Sequence, residues 1–462
     1  MLIEFSVSNF RSIKDMQTLS FVATAMNEHE DTHVFQANEK TRLLKSVGVY
    51  GANSSGKSNL VKAIGAMLGF IKAPFDEKQK FQEQIQPFKF NTATRNEGTF
   101  FQVMFILDGK TFRYGFVYDK GIIKSEWLFG TAEKKEVTYF IREGENINFT
   151  NKKGRFSEGN GLVKRTREDN LFLNVVNEFN GELSSSIINY LDDILVIKGV
   201  DKLVEDNELR DMSMQYLRDE KAKIQLLKLM KIADEDLDDV VVVDYNETQK
   251  SQFVQDNFGI NVNEVQNEIE HIENEEDSLN LVFRKMDFVK MIKGAMANGE
   301  LRGFYQPLNP LLSKRNIFNE HGEKVDSDFF NFEDDTSEGT KKLFSYAGRI
   351  LECINHGGTM IIDEFGSTLH TLLTKAIINL FNSKENKSAQ LCFVVHDTNF
   401  LDTDLLRRDQ IYFVEKNSKA ETSIYSLAEI KAVRNDASFE KDYIKGKYGA
   451  IPFVKNLNSV IE

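Results

Sequence analysis

The run Gly51-Ala52-Asn53-Ser54-Ser55-Gly56-Lys57-Ser58 constrains this chain more than any other feature. It follows the apolar run Val47-Gly48-Val49-Tyr50, and behind it Leu60, Val61, Ile64, Met67 and Leu68 recur at helical spacing. A G-x-x-x-x-G-K-S loop between a strand and a helix is a phosphate cradle. Its glycines let backbone amides face inward, and the dipole of the following helix favours an anion. In this reading Gly51, Asn53, Ser54, Ser55, Gly56 and Asn59 surround the nucleotide phosphates, Lys57 reaches the β- and γ-phosphates, and the Ser58 hydroxyl ligates Mg²⁺. ATP and Mg²⁺ are the expected ligands.

Turnover needs a second, acidic site for the metal and the attacking water. Met360-Ile361-Ile362-Asp363-Glu364 offers one at the end of an apolar run. Asp363 is the expected Mg²⁺ ligand, directly or through water, and Glu364 the general base. His396 follows a second apolar run, Leu391 to Val395, and can donate to the γ-phosphate or to the water. Ser337-Glu338-Gly339-Thr340 precedes a helical period and is in isolation a helix cap. In context Ser337 and Gly339 suggest a second, weaker phosphate-binding helix N-terminus that completes the site of another subunit.

The rest of the chain divides by pattern. Residues 1–165 carry the phosphate loop and, from Phe100 to Phe149, short β-rich segments separated by Asp108-Gly109, Lys120-Gly121 and Glu143-Gly144, which read as an antiparallel meander. Residues 166–315 read as mainly helical and acidic, with Leu217, Ile224 and Leu227 on one face and one strand at Val240 to Val243. The Glu-rich stretch Glu264 to Asp277 reads as a solvated helix or loop. Residues 316–462 return to α/β, with Met360-Ile361-Ile362 and Leu391 to Val395 suited to buried parallel strands and Leu372 to Phe381 helical between them. The expected fold class is α/β, with a helical insertion between two lobes.

A hydrophobic content of 41% over 462 residues suits a folded protein with a sizeable core. With 58 basic against 71 acidic side chains the net charge is -13, which repels a polyanion unless basic groups gather locally, so nucleic acid is not indicated by charge. Cys353 and Cys392 lie in or beside apolar runs and read as small core hydrophobes, without a disulfide framework. No apolar run reaches the roughly 18–20 residues of a membrane span, and no basic leader is read at Met1, so a cytoplasmic location is expected.

The order Asn9-Phe10-Arg11-Ser12, Gly56-Lys57-Ser58, Ser337-Glu338-Gly339-Thr340, Asp363-Glu364 and His396 resembles the ABC-type ATPase heads of structural-maintenance-of-chromosomes and Rad50-like proteins. Pro87-Phe88-Lys89-Phe90, Tyr114-Gly115-Phe116, Glu126-Trp127-Leu128, Ser367-Thr368-Leu369-His370, His396-Asp397-Thr398, Arg408-Asp409-Gln410-Ile411 and Gly446-Lys447-Tyr448-Gly449-Ala450-Ile451-Pro452 bring it nearer to the AAA ATPases of bacterial phage defence. These are the overcoming-lysogenisation-defect type, the RloA- and AbiL-type ATPases, and the ATPase subunits of PARIS-like and Septu-like systems. The likeness covers both ends of the chain and leaves the middle uncovered.

That resemblance implies an ATPase head that pairs head to tail as a homodimer or higher homo-oligomer. ATP is gripped between the loop of one copy and Ser337 and Gly339 of the other, Ser367 lies in the segment that communicates across the interface, and Arg11 senses nucleotide. It also implies a slow ATPase that serves as sensor or scaffold for a separate effector, a Toprim-like or HNH nuclease, since no Toprim-type acidic cluster is read after His396. The alternative is a self-sufficient DNA-binding or DNA-repair ATPase. Three departures stand out: the signature lacks the fuller Leu-Ser-Gly-Gly form, no long coiled-coil arm leaves the head, and the usual Mg²⁺-contacting glutamine has two placements, Gln86 or the segment Asn170 to Asn174.

Overall fold

The computed structural model describes residues 1–73, 82–132, 135–149, 156–198, 202–243, 311–367, 369–431, 433 and 438–451. The Glu264 to Asp277 stretch, Thr368 and Pro452 lie outside them. Two compact units emerge, Met1–Val200 with Glu352–Glu462, and Asp201–Leu351.

The strands run in chain order as β1 (Leu2–Ser8), β2 (Gln17–Ser20), β3 (Val34–Gln36), β4 (Arg42–Leu44), β5 (Ser46–Tyr50), β6 (Thr99–Leu107), β7 (Lys110–Asp119), β8 (Ile122–Ala132), β9 (Lys135–Glu143), β10 (Asn146–Phe149), β11 (Ile194–Ile197), β12 (Leu237–Val242), β13 (Leu311–Phe318), β14 (Lys324–Asn331), β15 (Gly358–Ile362), β16 (Ala389–Val394), β17 (Ile411–Lys416) and β18 (Thr422–Ser426). In the first unit one sheet has the order β10-β9-β8-β7-β6-β1-β2, antiparallel throughout. It contains the expected meander. Asp108 and Gly109 both have positive φ, 49° and 73°, as a two-residue type I′ hairpin turn demands. The second sheet, β11-β15-β16-β5-β17-β18, is parallel from β11 to β17 and antiparallel only at β18. Its strands β5 and β16 are buried at every position, as strands covered on both faces require. The α/β class and the N-terminal antiparallel sheet are thus observed.

The helix Lys57–Lys72 lies in the core of this unit. Leu60, Val61, Ile64, Met67 and Leu68 are buried as their spacing suggests, but so are Ala63, Ala66, Phe70 and Ile71. A helix buried round most of its circumference is packed on more than one side. Phe70 meets Phe116 and Tyr118 of the antiparallel sheet at centroid distances of 5.6 and 5.4 Å. The two sheets are also stapled directly: the Gln390 side chain accepts from the Leu2 amide at 2.6 Å and donates to the Leu2 carbonyl at 2.9 Å.

Residues 166–200, read from sequence as part of the helical insertion, fall in the first unit. The reason is β11, which pairs with β15 from Ile194↔Thr359 to Ile197↔Ile362 and extends the parallel sheet. The helices Phe172–Glu178 and Glu182–Asp192 that precede it bury Leu173, Val176, Ile187 and Leu191 in the same core.

The second unit holds the helices Lys202–Arg218 and Glu220–Met230, the antiparallel sheet β12-β13-β14, and most of the helix Glu338–His356. β12 covers the strand expected at Val240 to Val243; β13 and β14 were not foreseen. The shared face of Leu217, Ile224 and Leu227 does not form, since Ile224 is 55% exposed while Leu226, Leu229 and Met230 are buried. Asp219 explains the slip: its side chain accepts from the Ala222 amide at 2.8 Å and starts a new helix, so the period does not carry across. Cys353 and Cys392 are buried and form no disulfide. Among the described residues no helix is long and apolar enough to cross a membrane.

One buried charge holds the meander to the helix that follows it. Glu126 on β8 accepts from the first-turn amides of Phe172 and Leu173 at 2.6 and 3.1 Å and from the Tyr114 hydroxyl at 3.0 Å, with Arg142 at 3.8 Å. Burial pushes its carboxyl up, opposed by Arg142 and these donors. Glu126→Ala leaves Arg142 buried without its counter-charge, and urea unfolding should show a loss of about 3–5 kcal/mol. Glu126→Gln, which keeps acceptors for the helix amides, should lose less.

Candidate functional site

Parallel strands in a common register bring their carboxyl ends to one edge, which is where an open α/β sheet places its ligand. Here Ile362 pairs with Phe393, Phe393 with Gly48 and Val394 with Val49. The residues that follow these strands, Asp363, His396 and the loop from Gly51, therefore stand side by side. Sequence spacing had proposed each separately; strand order assembles them.

The loop itself is braced from two places far apart in sequence, Ser12 and Thr422. Gly56 has φ 114°, and a Cβ there would lie 2.3 Å from Thr422 Oγ1, so only glycine fits. Thr422 Oγ1 lies 2.9 Å from the Ser55 carbonyl oxygen and 2.8 Å from Ser12 Oγ. Asn59 Nδ2 donates to the same Ser12 Oγ at 2.6 Å, and the Thr422 amide donates to the Ser12 carbonyl at 2.8 Å. Asn59, a candidate nucleotide contact from sequence, thus acts as a brace. Asn53 and Ser54 are exposed, and Ser54 has φ 63°.

The buried groups fit a phosphate ligand. Ser55 Oγ is buried with no hydrogen-bond partner. Lys57, 4% exposed, donates back to the carbonyl oxygens of Gly51 and Ala52 at 2.6 and 2.9 Å. Burial lowers its pKa to about 8, against a raising contribution from Asp363. A desolvated ammonium resting on neutral carbonyls, beside first-turn amides that lack intrahelical acceptors, is ready for a polyanion.

Ser58 and Asp363 converge. The Asp363 carboxylate is 6% exposed, and its pKa is raised chiefly by burial, with the nearby Ser58 hydroxyl and the Glu364 amide pulling it down. The Glu364 amide donates to Asp363 Oδ1 at 3.1 Å, and the Asp363 amide donates to the Ile197 carbonyl at 2.9 Å. A hydroxyl beside a carboxylate could supply the one or two protein ligands Mg²⁺ takes while keeping most of its waters. Glu364 is exposed and has φ 54°, a left-handed conformation uncommon for a residue with a side chain. That turn aims successive carboxylates differently, Asp363 inward and Glu364 outward.

His396 completes the edge. Its pKa is lowered, first by burial and next by Lys57, while Glu364 and Asp363 oppose the shift. The imidazole is therefore neutral at pH 7, with one N–H to donate. Asp397 behind it accepts from Thr371 Oγ1 at 3.0 Å and from the Asn399 amide at 3.0 Å, which ties the segment after Glu364 to the segment after His396. Ser367 lies in the first of these, its amide donating to the Glu364 carbonyl at 3.1 Å.

The other candidates lie elsewhere. Arg11 has φ 51° and places its guanidinium 3.4 Å from the Gln84 carbonyl and over the Phe10 ring. Its Nε is buried without a partner and burial lowers its pKa. The neighbouring Ser12, which sequence reasoning passed over, is the residue of that turn that touches the phosphate loop. Ser337 caps the helix Glu338–His356 in the second unit, accepting from the Thr340 amide at 3.2 Å, and Gly339 sits in its first turn. The two placements of the glutamine have partners of their own. Asn174 is buried and donates to the Ile71 carbonyl at 2.6 Å, and Gln86 receives the Arg11 amide on its carbonyl. Lys198, directly after β11, stands at the edge instead, its side chain against Gly65 and 3.4 Å from Gln84 Oε1. The apolar run Ile194-Leu195-Val196-Ile197 was the signal for it.

The chain matches, over residues 46–402, the model of the family described as "AAA domain, putative AbiEii toxin, Type IV TA system". Comparison with the curated proteins returns no match. Among solved structures it is similar to the Smc head bound to the C-winged helix domain of ScpA, at 13% identity over 93% of this chain and 98% of that one, TM-score 0.38. It is also similar to the Smc head with an extended coiled coil bound to the C-terminal domain of ScpA from Pyrococcus furiosus, at 13% identity over 96% and 98%, TM-score 0.38. The SMC head domain from Thermotoga maritima matches at 10% identity over 92% and 98%, TM-score 0.34. The family model, spanning well over half of the chain, is what assigns the family.

Thr422→Val keeps the shape of the brace but removes the hydroxyl between Ser12 and Ser55. Urea unfolding of this variant should show a loss of about 1–3 kcal/mol from buried polar groups left unpaired. Isothermal titration with ATP should show weaker binding, because the loop is then held less firmly in its phosphate-binding shape.

Proposed function

Since the chain belongs to this AAA-domain family, we propose that it is an ATPase whose copies pair head to tail over ATP and Mg²⁺ and thereby control a separate effector in antiviral defence. The observation that carries the reading is the convergence of Lys57, Ser58, Asp363, Glu364 and His396 on one sheet edge, with the buried Ser55 hydroxyl and the Lys57 ammonium turned toward the loop interior.

In this reading Lys57 leaves the carbonyls of Gly51 and Ala52 for the β- and γ-phosphate oxygens, exchanging neutral acceptors for charged ones. The amides from Ser54 to Ser58 hold the β-phosphate at the helix N-terminus. Ser58 and Asp363 would hold Mg²⁺, which would supply positive charge against the triphosphate. Glu364 accepts the proton of the attacking water, and neutral His396 donates to the γ-phosphate side. Ser337 and Gly339 of a second copy close over the phosphate. The capped N-terminus of the helix Glu338–His356 supports that role, because its amides are oriented for an anion. The single-Gly signature and the exposed Glu364 suit slow turnover in the isolated chain.

The family description names a toxin of a type IV toxin–antitoxin system, which favours the defence reading over a self-sufficient DNA-repair ATPase. The -13 charge points the same way. A nuclease of Toprim-like or HNH type is the proposed effector.

Lys57→Ala should abolish ATP binding in a calorimetric titration. Glu364→Gln should bind ATP at least as tightly as the parent chain yet release phosphate roughly 100-fold more slowly or worse, the scale of losing a general base. With ATP and Mg²⁺ its mass by light scattering should double, while ADP leaves it unchanged. An unchanged phosphate-release rate removes Glu364 as the base, and an unchanged mass removes the composite site.

A further inference from the structure

The segment 439–451 touches the nucleotide site at two points that nothing in the phosphate-loop chemistry explains. Ala450, at φ 55°, offers its carbonyl to two donors at once, the Ala52 amide of the phosphate loop and the Tyr443 hydroxyl, each at 2.9 Å. The Ala450 amide donates to Glu415 Oε2 at 3.3 Å, and the Tyr425 hydroxyl donates to the Tyr448 carbonyl at 2.7 Å. Phe413 of β17 stacks on Tyr443 and Tyr448 at 5.3 and 5.7 Å. At its other end the helix Phe439–Ile444 offers Glu440, whose Oε1 accepts from Thr398 Oγ1 at 3.0 Å, two residues beyond His396.

We propose that this segment is a latch that positions the phosphate loop and the His396 segment relative to one another, with Tyr443, Ala450 and Glu440 as its positioning residues. The inference rests on the ATPase reading above. An amide committed to Ala450 is not presented to phosphate, so the latch fixes where the phosphate-binding run of amides begins. It also removes conformations from a loop that contains Gly51, Ser54 and Gly56 at positive φ, and so lowers the ordering cost of binding nucleotide. The Glu440 to Thr398 bond carries the same restraint to the segment that aims His396. A tail that only covered β17 needs the aromatic stack, but not a bond to a phosphate-loop amide.

The two roles separate experimentally in the full chain. Tyr443→Phe keeps the ring on Phe413 and removes one of the two donors to Ala450. Gly449, at φ 72°, has room for no Cβ, which would lie 2.6 Å from the Tyr425 hydroxyl and 2.9 Å from Glu415 Oε2, so Gly449→Val dislodges the latch. The readouts are the KM for ATP, kcat, Tm, and hydrogen exchange of the peptide carrying Gly51 to Ser58 without nucleotide.

We expect Tyr443→Phe to raise KM about three- to tenfold, the worth of one hydrogen bond, with faster loop exchange and a Tm close to the parent. Glu440→Ala should lower kcat more than it raises KM. Gly449→Val should do both. Parent-like loop exchange and kinetics in Tyr443→Phe and Glu440→Ala overturn the latch, whether or not Gly449→Val folds. A parent chain that binds no ATP overturns the ATPase reading instead, and loop exchange still decides the latch.

Discussion

Everything at the candidate site depends on the in-register parallel pairing of β15, β16 and β5. Because Ile362, Phe393 and Gly48 are linked across adjacent strands, the chain after each strand emerges at nearly the same height. The Asp363 carboxylate, His396 and the loop from Gly51 are brought together by backbone hydrogen bonds, not by their own attraction. The order matters as much as the register. Asp363 and Glu364 emerge one strand away from His396, and His396 one strand away from Gly51, so the edge presents acid, imidazole and loop in sequence. With β5 and β16 buried on both faces, sliding one strand past its neighbour would disrupt side-chain packing in both covering layers at once.

On that frame the loop is held in a binding shape before any ligand arrives. Thr422, Ser12 and Asn59 fix its base, and Ala450 holds the Ala52 amide. The helix Lys57–Lys72, packed between core layers, cannot tilt to follow a mobile loop. What stays adjustable is the charge. Lys57 rests on two carbonyls, and Asp363 accepts from the Glu364 amide. Each group is paired well enough to be buried and weakly enough to change partners. The shifts of Lys57, Asp363 and His396 each include the charge of a neighbour in this group, so the charges there already form a prearranged field.

The sequence alone determined the phosphate loop, the Asp-Glu pair, the histidine, the meander and the buried strands that carry them. Each of these is a local pattern: glycines at fixed spacing, a period of two or 3.6, or an acid at the end of an apolar run. It also misplaced what depends on partners. β11 was absorbed into a helical region because a four-residue apolar run has no period of its own, and its strand identity comes from β15. Ile224 was given to a buried face because periodicity cannot see that Asp219 restarts the helix.

Tertiary structure alone decided which residues support the site. Ser12, Thr422 and Ala450 meet the loop from the two ends of the chain, and Lys198 reaches the sheet edge only because β11 joins β15. No local pattern assigns them that role, since a hydroxyl or a carbonyl that braces a loop is chemically ordinary until the fold brings it within hydrogen-bond distance. Local chemistry is written in residue type and spacing. The contacts that make it work are written in which strand lies beside which, and pairing between distant segments follows from packing the whole core at once.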